Sequence, residues 1–229
     1  MRRIYIATSN PGKLYDFTAA AAPLGIKIAA VPGIEKLPPA PEDAPTFEAN
    51  ACKKAEHYSR SIKDCYVLAD DSGLRVDALD GAPGVYSARY ATVTANDSDS
   101  PSAAAPHVNC TDAENNAKLL EEMRDIPEEQ RGASFVCVIA VAREGRLIAC
   151  FRGEIQGTIL REPRGTGGFG YDPLFFVRST GSTFAELSPE LKSECSHRGQ
   201  AFRKFLKWYS NLPEEIPVAP VAVKISGRL

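Results

Sequence analysis

The chain reads as an α/β protein with a mixed, largely elongated central sheet flanked by helices, and three observations predict it. Extended and helical patterns alternate through its first third. In the middle, two long apolar runs rich in Val, Ile, Ala and Phe flank one tight turn, which only antiparallel neighbours allow, so the sheet cannot be purely parallel. A buried strand pattern also runs into adjacent aspartates, at the strand end where α/β sheets gather ligands.

Each element has its own local reason. Residues 3–8 (RIYIAT) form a short apolar run that stops at Ser9-Asn10-Pro11-Gly12, and Lys13 to Leu24 follows as helix. Residues 26–31 (IKIAAV) predict a second strand. The Pro-rich stretch 32–45 cannot be regular structure and is expected to loop over a cleft. Thr46 caps a predicted helix over 47–61, where Phe47, Ala51, Ala55 and Tyr58 recur at helical spacing. Tyr66-Val67-Leu68-Ala69 makes a buried strand ending at the acidic pair. Residues 92–110, poor in large apolar side chains and rich in Ser, Ala, Asp and Pro, are expected to be a flexible surface insertion.

Thr111-x-x-Glu114 is a capping box that opens a helix to about Arg124, closed by Ile126-Pro127. Residues 133–142 and 146–157 predict two long strands joined by a hairpin turn at Arg143-Glu144-Gly145. A third strand is expected near 155–161, before a Gly-rich loop over 164–170. Ser196 caps a last helix from His197 to about Tyr209, sealed to the core by Ala201, Phe202, Phe205, Leu206 and Trp208. The Pro/Val-rich tail over 213–229 reads as a loosely docked extension.

With 229 residues the chain is long enough for one domain, or one domain in two lobes. Its 27 Lys and Arg against 29 Asp and Glu leave a net charge of −2, so no global basic field marks a nucleic-acid or membrane binder, and an anionic ligand must be captured locally. The six cysteines lack CxxC or Cys/His ligand spacing and read as small buried hydrophobes. No apolar stretch approaches transmembrane length, and a reduced cytoplasmic setting is the default expectation.

Four segments hold residue types suited to a nucleotide. Thr8 and Ser9-Asn10-Pro11-Gly12-Lys13 place backbone N–H groups, hydroxyls, an amide and an ammonium at a helix N-terminus, which favours an anion. This is not a P-loop, lacking its first glycine and the Ser/Thr after Lys, and it would equally serve as an ordinary strand-to-helix turn. In Asp70-Asp71-Ser72-Gly73, strand alternation turns only one carboxylate to the cleft; Asp71 is the choice, with Asp70 anchoring the turn. A solvated Asx turn is the alternative. Phe169, Gly170, Tyr171 and Asp172 combine a close backbone approach with aromatic faces, or else form a turn with its rings in the core. Lys192 and Ser196-His197-Arg198-Gly199 offer cationic donors for a carbonyl or phosphate, or a solvated helix end.

Together SNPGK, the acidic Pro-rich loop ending TFEANA, ADDSGL, GAPGVYSARYA, GTGGFGYDPLFF and SHRGQA resemble the inosine triphosphate pyrophosphatase family, the Ham1/RdgB-type enzymes that remove non-canonical purine nucleoside triphosphates. The resemblance spans roughly residues 3–208. It implies a single pyrophosphatase domain over 1–229 in two lobes, with the active-site cleft between them. It also implies Mg²⁺-dependent hydrolysis of ITP, dITP and XTP to the monophosphate and pyrophosphate by a cytoplasmic homodimer. By likeness, Thr8 to Lys13 hold phosphates with Lys192, and Ser72 adds a hydroxyl. Asp71 is the general base and, with Glu42, a metal carboxylate. Phe169 to Asp172 frame the base, and His197 and Arg198 read the purine oxygen. One departure stands out: relatives read Glu-Asn-Ala where this chain has Ala49-Asn50-Ala51, so any metal-shell role of that Glu falls to Glu48 or is lost. Two alternatives remain, a pyrophosphatase for modified pyrimidines and a catalytically silent nucleotide-binding module.

Overall fold

The computed structural model of the chain describes residues 3–93 and 109–212. In order, the main elements are β1 (Arg3–Ile6), α1 (Pro11–Ala21), β2 (Ile28–Ala30), α2 (Phe47–Ser59), β3 (Cys65–Val76), 3₁₀ turns over Gly84–Thr92, α3 (Asp112–Glu122), β4 (Gly132–Arg143) and β5 (Arg146–Ile159). Then come β6 (Phe175–Val177), β7 (Ser182–Thr183), α4 (Pro189–Cys195) and α5 (His197–Ser210). Among the described residues the strands form one seven-stranded sheet in the order β2-β1-β3-β4-β5-β6-β7. β2, β1 and β3 are parallel, and every pairing from β3 to β7 is antiparallel, so the expected mixed sheet is present.

Strand alternation sorts the core. Tyr66 and Leu68 of β3, with Ile4, Ile6, Cys137 and Ile139, meet α1 and α5 through Phe17, Phe202 and Phe205. Val67 and Ala69 face the other way, onto Phe47, Ala51 and Ala55 of α2. A third apolar cluster fills the far half of β3 and β4, around Leu74, Phe135, Leu119, Tyr171 and Phe175. The two long strands β3 and β4 thus run through both halves.

Local signals were reliable where chemistry is local. Thr46 accepts from the Ala49 N–H, and Thr111 and Glu114 form the reciprocal capping box. The β4–β5 hairpin turns on Glu144 and Gly145, both at positive φ, as a two-residue primed turn requires.

Four expectations need correction. β3 does not end at the acidic pair but continues to Val76, because Asp70 and Asp71 remain paired with Ile139 and Val138 of β4. There is no separate strand at 155–161, since β5 is continuous to Ile159. The first helix stops at Ala21, and a 3₁₀ turn over Ala22–Leu24 completes it before Gly25 in the left-handed region. The Pro-rich stretch also contains a 3₁₀ turn, Ile34–Lys36. The turns over Gly84–Thr92, helix α4 and the short strands β6 and β7 had no distinct sequence signal. Most of the expected insertion, 94–108, and the tail, 213–229, lie outside the described residues.

Candidate active site

The site forms where the sheet loses a strand. β1 pairs with β3 only as far as Ile6 opposite Leu68, whereas β3 stays paired to β4 well beyond. From Ala69 to Gly73 the β1-side edge of β3 therefore has no strand beside it, and the turn Thr8–Lys13 crosses there; farther along, Leu74 and Val76 donate to Ser87 Oγ and the Ala82 carbonyl. Asn10 caps α1 by accepting from the Lys13 N–H at 3.1 Å, and its own N–H donates to Thr8 Oγ1. Ser9, Asn10 and Pro11 are exposed and Gly12 is half-buried. The helix so capped directs its positive end at the gap.

The two aspartates flank that edge from opposite faces of β3. On the α1/α5 side, Asp70 Oδ2 accepts from Lys13 Nζ at 2.9 Å and from the Ser72 hydroxyl at 3.2 Å. Arg198 lies 3.7 Å away and donates to Ser72 Oγ at 3.0 Å and to Asp16 Oδ2 at 3.0 Å. Burial alone would favour a neutral Asp70, but Lys13, Arg198 and Lys54 outweigh it and hold the carboxyl well below the usual carboxylate range. On the α2 side, Asp71 Oδ1 accepts from Lys54 Nζ at 3.0 Å, and the same ammonium lies 3.3 Å from Glu42 Oε1. Burial raises the Asp71 carboxyl against the pull of Lys54 and Lys13, and Glu42 adds to the rise. Asp71 Oδ2 is buried and has no hydrogen-bond partner among the described residues.

The Gly-rich loop divides by residue. Phe169 and Asp172 face the site: the Phe169 ring has Lys192 Nζ at 4.9 Å and the Arg198 guanidinium at 5.4 Å. Asp172 accepts from Lys192 and, at 2.8 Å, from the Phe169 N–H. Gly168 permits this, since a Cβ there would lie 2.0 Å from Asp172 Oδ2. Gly170 and Tyr171 turn away. Gly170 is tied to Asp112 and Asn116 of α3, and Tyr171 is buried in the core with its hydroxyl donating to the Ser87 carbonyl. The side chain of Tyr171 is thus not brought to the cleft, because its ring fills the apolar cluster beneath the 3₁₀ turns.

His197 starts α5 but lies inside the protein, stacked on Phe135 at 4.7 Å and 7°. Burial, then the charges of Arg198 and Lys192, hold its ionisation well below the ordinary histidine value, so the ring is neutral. Its Nδ1, like Arg198 Nε, is buried without a partner among the described residues.

Two participants escaped sequence reading. Lys54 sits in an ordinary-looking helical run beside Lys53, and no local signal distinguishes the buried ammonium from the exposed one. Asp16 lay in the predicted first helix and shared nothing in sequence with Arg198. For a metal, the donors that fit are Asp71 and Glu42, hard oxygens already arranged around a cation, with Asp71 Oδ2 left free. Among the described residues no group of three or more potential ligands converges. An ion here would take two carboxylates and complete its shell from water and phosphate oxygens, as Mg²⁺ does. Glu48 is exposed.

An open sheet edge at a helix N-terminus, with two carboxylates each held by cations on opposite faces, defines a polyanion-handling α/β protein. The profile of the Ham1 family matches residues 4–208, and the chain belongs to that family. It is 47% identical to a dITP/XTP pyrophosphatase of Geobacter sulfurreducens over 88% of this chain and 93% of that one. It is 43% identical to a dITP/XTP pyrophosphatase of Escherichia coli, over 90% and 97%. Among solved structures, a HAM1 protein from Coxiella burnetii superposes with a TM-score of 0.75 at 38% identity, covering 93% of this chain and all of that one. The Staphylococcus aureus Ham1 protein gives 0.73 at 34%, over 91% and 98%.

Proposed function

We propose that this chain is a Mg²⁺-dependent nucleoside triphosphate pyrophosphatase that hydrolyses ITP, dITP and XTP between the α and β phosphates. The products are the nucleoside monophosphate and pyrophosphate, and the role is to cleanse the nucleotide pool. The Geobacter sulfurreducens and Escherichia coli relatives are dITP/XTP pyrophosphatases, and the observation that carries the mechanism is the buried Asp71 Oδ2, without a partner among the described residues, beside an ammonium-lined open edge.

Lys13, the positive end of α1 and Lys192 take the charge of the triphosphate. Glu42 and Asp71 are the carboxylates that would hold Mg²⁺, which when bound neutralises phosphate oxygens. Lys54 fixes Asp71 through Oδ1, so Oδ2 serves both roles in turn: it would hold the ion through water and accept the proton of the attacking water. Burial raises the affinity of this carboxyl for that proton. Asp172 steers Lys192, and the Phe169 ring packs against both that lysine and Arg198. The buried Arg198 Nε–H suits an acceptor, which hypoxanthine and xanthine present where adenine presents an amino donor. A desolvated mismatch there discriminates strongly. We further propose that the whole chain acts as one two-lobed domain, as a cytoplasmic homodimer; sedimentation at twice the monomer mass checks the dimer.

The test is pyrophosphate release from ITP, dITP and XTP against ATP, dTTP and dUTP with Mg²⁺, in wild type and Asp71→Asn. We expect turnover of the three purines and a fall in kcat of roughly 10²–10⁴-fold in the variant with nucleotide binding retained. Preference for pyrimidines would overturn the substrate class, release of inorganic phosphate the bond, and no pyrophosphate from wild type the enzyme itself.

A further inference from the structure

The cysteines are scattered in sequence, yet the fold brings two of the six together. Cys52 on α2 and Cys150 on β5 have their sulfurs 3.4 Å apart. The architecture enforces the contact. Successive residues of β5 face opposite sides of the sheet, so Phe151 packs toward α5 while Cys150 faces α2. Both thiols are free and partly exposed, so a small reagent can reach them, unlike the fully buried Cys137.

We propose that Cys52 and Cys150 form a dithiol site that is oxidised reversibly to an intramolecular disulfide by low-molecular-weight disulfides. The Cys52 thiolate attacks one sulfur of the reagent, forming a mixed disulfide and expelling one small thiolate. The Cys150 thiolate then attacks the Cys52 sulfur, closing the protein disulfide and expelling the second. Two protein thiols lose two hydrogens, and one reagent disulfide becomes two thiols. Cys52 is the entering group because burial pushes the Cys150 thiol up to about 12, whereas Cys52 is raised less, by burial and by Glu48 and Glu56. Both elements are already in place, so closing requires only that side-chain torsions bring the sulfurs from van der Waals contact to about 2 Å. The bond ties α2, the helix that carries Lys54, to the sheet.

The experiment incubates the reduced full chain with oxidised glutathione, digests it without reduction and maps cross-links by mass spectrometry. The expected product is a peptide pair joining Cys52 to Cys150 in a monomeric chain, with an unfolding midpoint higher by roughly 5–10 °C and reset by dithiothreitol. Cys52→Ala and Cys150→Ala should each abolish that shift, and Cys110→Ala should keep it. Stable mixed disulfides without closure, a cross-link through another cysteine, or closure that leaves the midpoint unchanged would overturn the proposal.

Discussion

Two neighbouring carboxylates on one strand differ here in nearly every physical property. Asp70 is enclosed by Lys13, Ser72 and Arg198 and stays ionised, whereas Asp71 shares one ammonium with Glu42 and keeps one oxygen without a partner. The first is suited to positioning and the second to taking a proton. Removing a partner from a buried charge cluster leaves the remaining charges uncompensated. Asp70→Asn should therefore lower unfolding free energy by about 3–5 kcal/mol in urea melts. It should also reduce kcat, since Lys13 and Arg198 lose their common anchor. The choice of Asp71 for the cleft rested on strand alternation, but alternation only separates the two side chains. What distinguishes them is which face holds Lys54 and which holds Lys13, and those lysines arrive from different helices.

At the scale of elements, β3 is the decisive one. A run of Asp-Asp-Ser-Gly ends a strand in most sequence contexts, yet here β4 pairs with it throughout. Gly73 admits the turns over Gly84–Thr92 against the strand: a Cβ there would lie 2.3 Å from Ser87 Oγ and 2.6 Å from the Gly84 carbonyl. Gly73→Ala should destabilise the protein by about 1–3 kcal/mol, measured by urea denaturation, through displacement of that backbone. Arg131 shows the same dependence on distant partners. It is buried and donates to the carbonyls of Met123, Ile126, Ile159 and Leu160, joining the end of α3 to the end of β5. By contrast the helix caps are local, and Thr46→Ala should cost only about 1 kcal/mol in the same measurement.

For the whole molecule, the neutral His197 sets a pH dependence. Its folded ionisation lies well below its ordinary value, so below about pH 6.5 the unfolded chain binds a proton that the folded chain refuses. Stability should therefore fall as pH drops from about 7 toward 5, and His197→Gln should flatten that slope in thermal melts at a series of pH values. Asp70, with its folded ionisation depressed, contributes stability above the ordinary carboxylate range and loses it only in stronger acid. The mixed sheet, the caps, the hairpin and the family were legible in the chain, because periodicity, capping and turn chemistry depend on residues within a few positions. The polar turn Ser9–Lys13 and Asp71 stood out as candidates in the residues themselves, and Glu42 only through the family resemblance. Lys54, Asp16, the inward Tyr171 and the Cys52–Cys150 contact were not legible. A side chain's burial, charge and partners are fixed by groups that only folding brings near, as when Asp16 meets Arg198 across the length of the chain.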